Sequence, residues 1–236
     1  MSGLLLDLAL AVIPVILAIT LHEAAHGYAA LALGDTTARD AGRLSLNPIR
    51  HIDRVGTIIL PGFLLISQLL VPPHKIFFMF GWAKPVPIGA WKFRDPRRGM
   101  AIVASAGPLM NFFLAWLAAL VIPTADFLSP TQAIVQQFLL YFMLSNVVLG
   151  LFNLLPIPPL DGGRIAVGLL PAALARVWAR LERAGILIVL LAVFILPRLL
   201  GVDPVGQALN HVLPWAFRTI FWLAGQNIDG PDGNTI

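Results

Sequence analysis

Long apolar runs separated by short polar loops set the pattern of the chain. In the first run, residues 4–33, the only charged side chains are Asp7 and Glu23. A helix needs roughly 20 such residues to cross a bilayer, so a span is expected here, with a tolerable kink at Pro14. Gly34-Asp35 ends it. Runs at 99–122, 133–155 and 185–200 predict further spans, and one at about 204–224 predicts an interfacial helix or a final crossing. The apolar stretch at 55–82 carries Pro72-Pro73 and is long enough for one span, or for a hairpin that dips in and returns.

The loops decide between those two. Residues 35–54 carry Arg39, Arg43, Arg50 and Arg54, and 84–98 carry Lys84, Lys92, Arg94, Arg97 and Arg98. Basic loops favour the cytoplasmic side, so both lie on one face of the membrane. A re-entrant hairpin with its tip at or before Pro72-Pro73 satisfies this, whereas a single span does not. Arg43-Leu44-Ser45-Leu46 alternates as a short strand should, and Asn47-Pro48 then turns the chain. This predicts a β-hairpin or loop at the membrane surface. With the amphipathic, basic stretch that follows residue 163, 13 of the 16 Lys and Arg fall on one side. The N-terminus is then outside, and His22 and Asp161 lie toward the cytoplasm. Met1-Ser2-Gly3 lacks the basic start of a signal peptide.

The expected fold is therefore an all-α polytopic membrane protein of about five or six transmembrane helices, with a small membrane-associated β-hairpin and a re-entrant hairpin. One domain covers 1–200, with its core at 20–170, and 201–236 adds an interfacial or transmembrane segment and a tail. Composition agrees. The chain is 58% hydrophobic and 12% charged, about half the charged share of a soluble domain, and its mean hydropathy is +0.84. The net charge of +4 does not imply nucleic acid, because the basic residues sit where they orient the spans and meet anionic lipid. With no cysteine, a metal site must use histidine and carboxylate.

The first span carries such chemistry. His22-Glu23-Ala24-Ala25-His26 is an HExxH motif. Residues four apart share a helix face, so both imidazoles can reach one metal ion, with Glu23 beside it to take a proton from water. Ionisable groups at membrane depth are costly and mark function. A catalytic zinc site needs a third protein ligand. His51, His74, His211 and the loop aspartates mostly lie in polar or interfacial stretches. Asp161 follows Pro156, Pro158 and Pro159, which force the end of a span to unwind, on the same membrane side as His26. An aspartate before Gly162-Gly163 also suits an ordinary turn.

Taken together, these motifs resemble those of the site-2 protease (M50-type) intramembrane zinc metalloproteases, in the compact subgroup without a PDZ or CBS domain. The resemblance rests on His22-Glu23-Ala24-Ala25-His26 and on Asn153-Leu154-Leu155-Pro156-Ile157-Pro158-Pro159-Leu160-Asp161-Gly162, which matches the pattern NxxPxPxLDG. Ala106-Gly107-Pro108, 43–56 and Gly81-Trp82-Ala83-Lys84-Pro85-Val86-Pro87 also fit, so roughly 20–170 is covered. The resemblance implies one zinc ion per chain, held by His22, His26 and Asp161, with Glu23 as general base and acid. It implies that Asn153 holds the substrate backbone or stabilises the oxyanion, and that the substrates are transmembrane proteins cut in or near their spans. A helical substrate must unwind before attack. The 43–54 region and Lys84, Pro85, Val86 and Pro87 are candidates to pair with it as a strand. Asn111 and Asn146 are read as interhelical glue. A catalytically silent zinc-binding scaffold is the alternative; a transporter should show two related halves, and none is visible.

Overall fold

Asp95 and Ser129 set where two of the long helices begin. The Asp95 carboxylate accepts from the amides of Arg97 and Arg98, and Pro96 occupies the first helical turn, where its missing N–H costs nothing. Ser129 and Gln132 form a reciprocal capping box ahead of Pro130. Hydropathy alone starts these helices at 99 and 133; the caps start them at Pro96 and Pro130. In the computed structural model, which describes residues 2–59, 83–122, 129–191 and 204–226 with isolated positions at 62–70 and 195–201, the architecture is mostly helical. α1 is Ser2–Ala32, with Pro14 inside it, and α2 is the single turn Thr37–Asp40. α3 is Pro96–Val121 and α4 is Pro130–Asn153. Short helices follow, α5 (Asp161–Leu169), α6 (Ala172–Arg180) and α7 (Gly185–Leu190), and then α8 (Pro204–Leu223).

Three of these helices, over Leu5–Ala32, Pro96–Val121 and Pro130–Asn153, are long and apolar enough to cross a membrane. Their packing is that of helices in lipid. Small residues are buried where backbones meet, among them Ala18, Ala104, Ala115, Ala118 and Ala119, while Leu5, Leu8, Ile102, Leu109 and Leu144 are exposed. With no water to expel between helices, close contact and buried polar pairs supply the cohesion. α8 lays Ala216 and Ile220 against Ala115, Ala119, Met143 and Val147 of α3 and α4. The Trp116 indole N–H donates to the Leu223 carbonyl at 3.2 Å, closing the end of this packing.

One expectation is revised. Among the described residues no strand forms, and the expected β-hairpin at 35–54 is instead α2, a loop, and a 3₁₀ turn at Pro48–His51. The reason is that side chains take over the main-chain acceptors. The Arg43 guanidinium donates to the carbonyls of Arg50 and Lys84, and Arg50 donates to Gly42. Pro48 has no N–H for a ladder. One backbone bond, Lys84 N–H to the His51 carbonyl at 2.8 Å, ties this loop to the segment after the second apolar stretch. The expected re-entrant hairpin falls largely on residues outside those described, as does much of the span expected at 185–200, of which α7 forms the start.

Candidate metal centre

α4 ends at Asn153, and the proline-rich turn of 154–160 leads directly into α5, whose first residue is Asp161. Glycine makes this re-entry possible. A side chain at Gly162 would strike the carbonyls of Leu154 and Leu155, and one at Gly163 would strike Pro158. The tight turn carries the Asp161 carboxylate back to α1. Its Oδ2 lies 3.1 Å from His22 Nε2 and 3.3 Å from His26 Nε2, and the two Nε2 atoms are 3.1 Å apart. All three side chains are buried.

The second nitrogens of the two rings fix what these atoms can do. His26 Nδ1 is 2.8 Å from the Val103 carbonyl, an acceptor only, so Nδ1 carries the proton. His22 Nδ1 is 2.6 Å from Asn111 Oδ1 and is protonated in the same way. In its neutral form, the form that ligates a metal, each ring then directs the lone pair of Nε2 inward. Asp161 Oδ2 is buried with no hydrogen-bond donor. Three converging lone pairs repel one another unless a cation sits among them, so the donor set fits a metal ion. His22, His26 and Asp161 together form a group that could hold one, every ligand atom lying within 4.8 Å of the others. Two nitrogens and one carboxylate oxygen suit zinc. Each histidine also has the outer partner that metal-ligating imidazoles usually have.

α3 reaches the centre through Gly107. A Cβ there would lie 2.5 Å from His22 Cε1 and 2.6 Å from His26 Nε2, so only glycine lets this backbone approach. Glu23 is half-buried on the same helix, and its Oε2 accepts from the Val86 amide at 3.1 Å. The Val86 side chain is buried over Gly27. Lys84 and Pro85 are exposed beside it, and Pro87 is half-buried. The sequence-predicted segment thus lies on the motif helix. Asn153 differs: its amide donates to the Leu149 carbonyl of its own helix at 3.1 Å.

Residues 123–196 match the model of Peptidase family M50, a region that includes Asp161 and its proline run. YwhC of Bacillus subtilis (strain 168), which carries the name of a zinc metalloprotease, is 39% identical over 79% of this chain and 80% of its own length. The chain belongs to peptidase family M50. This is the site-2 protease family anticipated from its motifs. Rip2 of Mycolicibacterium smegmatis and Rip2 of Mycobacterium tuberculosis (strain H37Rv), which carry the same zinc metalloprotease name, are 27% and 28% identical. Each match covers 88% of this chain and 70% of the relative. No solved structure is significantly similar to the chain.

In this M50 chain, sequence reasoning missed two contacts: Asn111 on His22, and the Val86 amide on Glu23. A polar residue four positions after Gly107 on an apolar helix was the available signal for the first. Nothing in the sequence signalled the second.

Proposed function

We propose that the chain is an intramembrane zinc endopeptidase that hydrolyses peptide bonds in or near the transmembrane segments of other membrane proteins, as in regulated intramembrane proteolysis. One observation carries the reading: two imidazole nitrogens and a carboxylate oxygen converge beside a glutamate on a helix apolar and long enough to cross a bilayer. His22, His26 and Asp161 would hold one zinc ion. Zinc supplies Lewis acidity, polarising a carbonyl and acidifying water.

Glu23 takes the proton from the attacking water as the new C–O bond forms at the scissile carbonyl. It returns that proton to the amide nitrogen as the C–N bond breaks. The Val86 N–H holds the carboxylate in register for both transfers. An unwound substrate pairs along Lys84, Pro85, Val86 and Pro87 by donating its N–H groups to carbonyls of this segment, because Pro85 and Pro87 have none to donate. Asn153 enters by releasing the Leu149 carbonyl and turning its amide to the substrate backbone. The basic loops favour an inner-membrane protein with its N-terminus outside and its active site toward the cytoplasm.

A Glu23→Gln variant, purified beside the unaltered chain and given a reporter membrane peptide, tests the reading. It should retain zinc and lose cleavage. Equal cleavage by both forms removes Glu23 as the base, and no cleavage by either favours a silent zinc-binding scaffold.

A further inference from the structure

We propose that Asn111 and Asn146 form a positioning relay for the metal centre, fixing the tautomer and ring orientation of His22; the inference rests on the zinc-site reading above. Both asparagines are fully buried, on α3 and α4. The relay starts at the Phe142 carbonyl, which accepts from Asn146 Nδ2 at 2.8 Å. A carbonyl cannot donate, so the Asn146 NH2 must face it, and Asn146 Oδ1 must face α3. That oxygen accepts from Asn111 Nδ2 at 2.8 Å, and the same NH2 reaches the Ala18 carbonyl at 3.4 Å. Asn111 Oδ1 is then left toward α1, where His22 Nδ1 lies 2.6 Å away. An amide oxygen accepts only, so His22 carries its proton on Nδ1 and directs its Nε2 lone pair at Asp161 and His26.

The two metal-facing histidines are thus oriented by different means. His26 uses a backbone carbonyl, that of Val103, which no substitution removes. His22 depends on two side chains from two other helices, and on the polarity that Asn146 imposes on Asn111. Ordinary interhelical hydrogen bonding would stabilise the bundle without acting on metal affinity; the relay acts on it directly.

The test measures zinc affinity by chelator competition on the full chain in detergent. Every protein carries Glu23→Gln, so turnover plays no part. Asn111→Leu should weaken zinc binding about 10- to 100-fold, as loss of an outer partner does. Asn146→Leu should weaken it less. Asn146→Asp, as a neutral acid in this buried position, can donate to Phe142 and accept from Asn111, and should bind as the parent does. The proposal is overturned if Asn111→Leu binds zinc like the parent, even when its metal-free form melts lower. Should Asn111→Leu not fold, the Asn146 pair decides, and equal affinities for Leu and Asp overturn the relay. A parent that binds zinc no better than its His22→Ala derivative fails the zinc-site reading itself, and the relay with it.

Discussion

The backbone amide of Val86 donates to the Glu23 carboxylate across 3.1 Å, although 63 residues separate them. In the proposed hydrolysis Glu23 accepts and releases a proton, which favours a carboxylate held still, and a charge-assisted bond of this kind is worth about 1.5–3 kcal/mol. Val86→Pro removes the N–H and keeps an apolar side chain over Gly27. Peptide hydrolysis should fall about tenfold to a hundredfold, mainly in kcat, with zinc affinity unchanged. Val86→Ala, which keeps the N–H, should retain most of the activity. Steady-state cleavage of a reporter peptide by the two variants is the check.

The register of that segment is set farther along, at Asp35. This carboxylate is buried and accepts from the Gly89 amide at 2.6 Å and the Thr37 amide at 2.9 Å, with Lys92 Nζ 3.3 Å away. Burial pushes its pKa up, but these donors and the Thr37 hydroxyl outweigh it and hold the pKa down at about 2. The folded value lies below the unfolded value of about 3.9. The stabilisation is therefore fully present above about pH 4 and is lost as pH falls toward about 2. Hydrogen exchange at Gly89 should accelerate through this window. Asp35→Ala should loosen the segment at neutral pH by about 1–3 kcal/mol, leaving buried donors unpaired.

How much was legible in the sequence follows from which interactions are local. His22, Glu23 and His26 are read from spacing alone, because one helical turn fixes their common face. Asp161 is legible because Pro156, Pro158 and Pro159 announce a broken helix and Gly162-Gly163 a tight re-entry. Asn111 reads as interhelical glue, since its meeting with His22 depends on how α3 is rotated against α1, which no residue of α3 states. The strand pairing expected within 35–54 is absent for a comparable reason. The Arg43 guanidinium satisfies carbonyls that a strand partner would otherwise need, and a long-range side-chain bond leaves no periodic trace. Helix starts slipped by about a turn because Asp95-Pro96 and Ser129-Pro130 outrank hydropathy as signals.

Gly107→Ala tests how closely α3 must approach. The added methyl would sit 2.5 Å from His22 Cε1 and 2.6 Å from His26 Nε2, a separation that forces either the helix or the rings to move. Because Asn111 rides on the same helix, a shift of α3 also draws its Oδ1 away from His22. Zinc affinity should fall at least about tenfold, the lower end of what loss of an outer partner costs. Helical content should stay unchanged, since alanine is the better helix former. Chelator competition read beside far-UV circular dichroism separates a disturbed metal centre from an unfolded chain.

Asp161→Asn isolates the charge of the proposed third ligand from its shape. The amide is nearly isosteric, so the turn over Gly162-Gly163 can persist, but a neutral oxygen is a far weaker ligand for a divalent cation than a carboxylate. Zinc stabilises only the form that binds it, and at 1,000 times its dissociation constant the gain is about 4.1 kcal/mol. If the substitution weakens binding about a hundredfold, the same zinc concentration is only about ten times the new constant. The gain then shrinks to about 1.4 kcal/mol. The rise in melting temperature on adding zinc should therefore fall to about a third of that of the unaltered chain. An undiminished rise would mean that the carboxylate 3.1 Å from His22 is not a ligand.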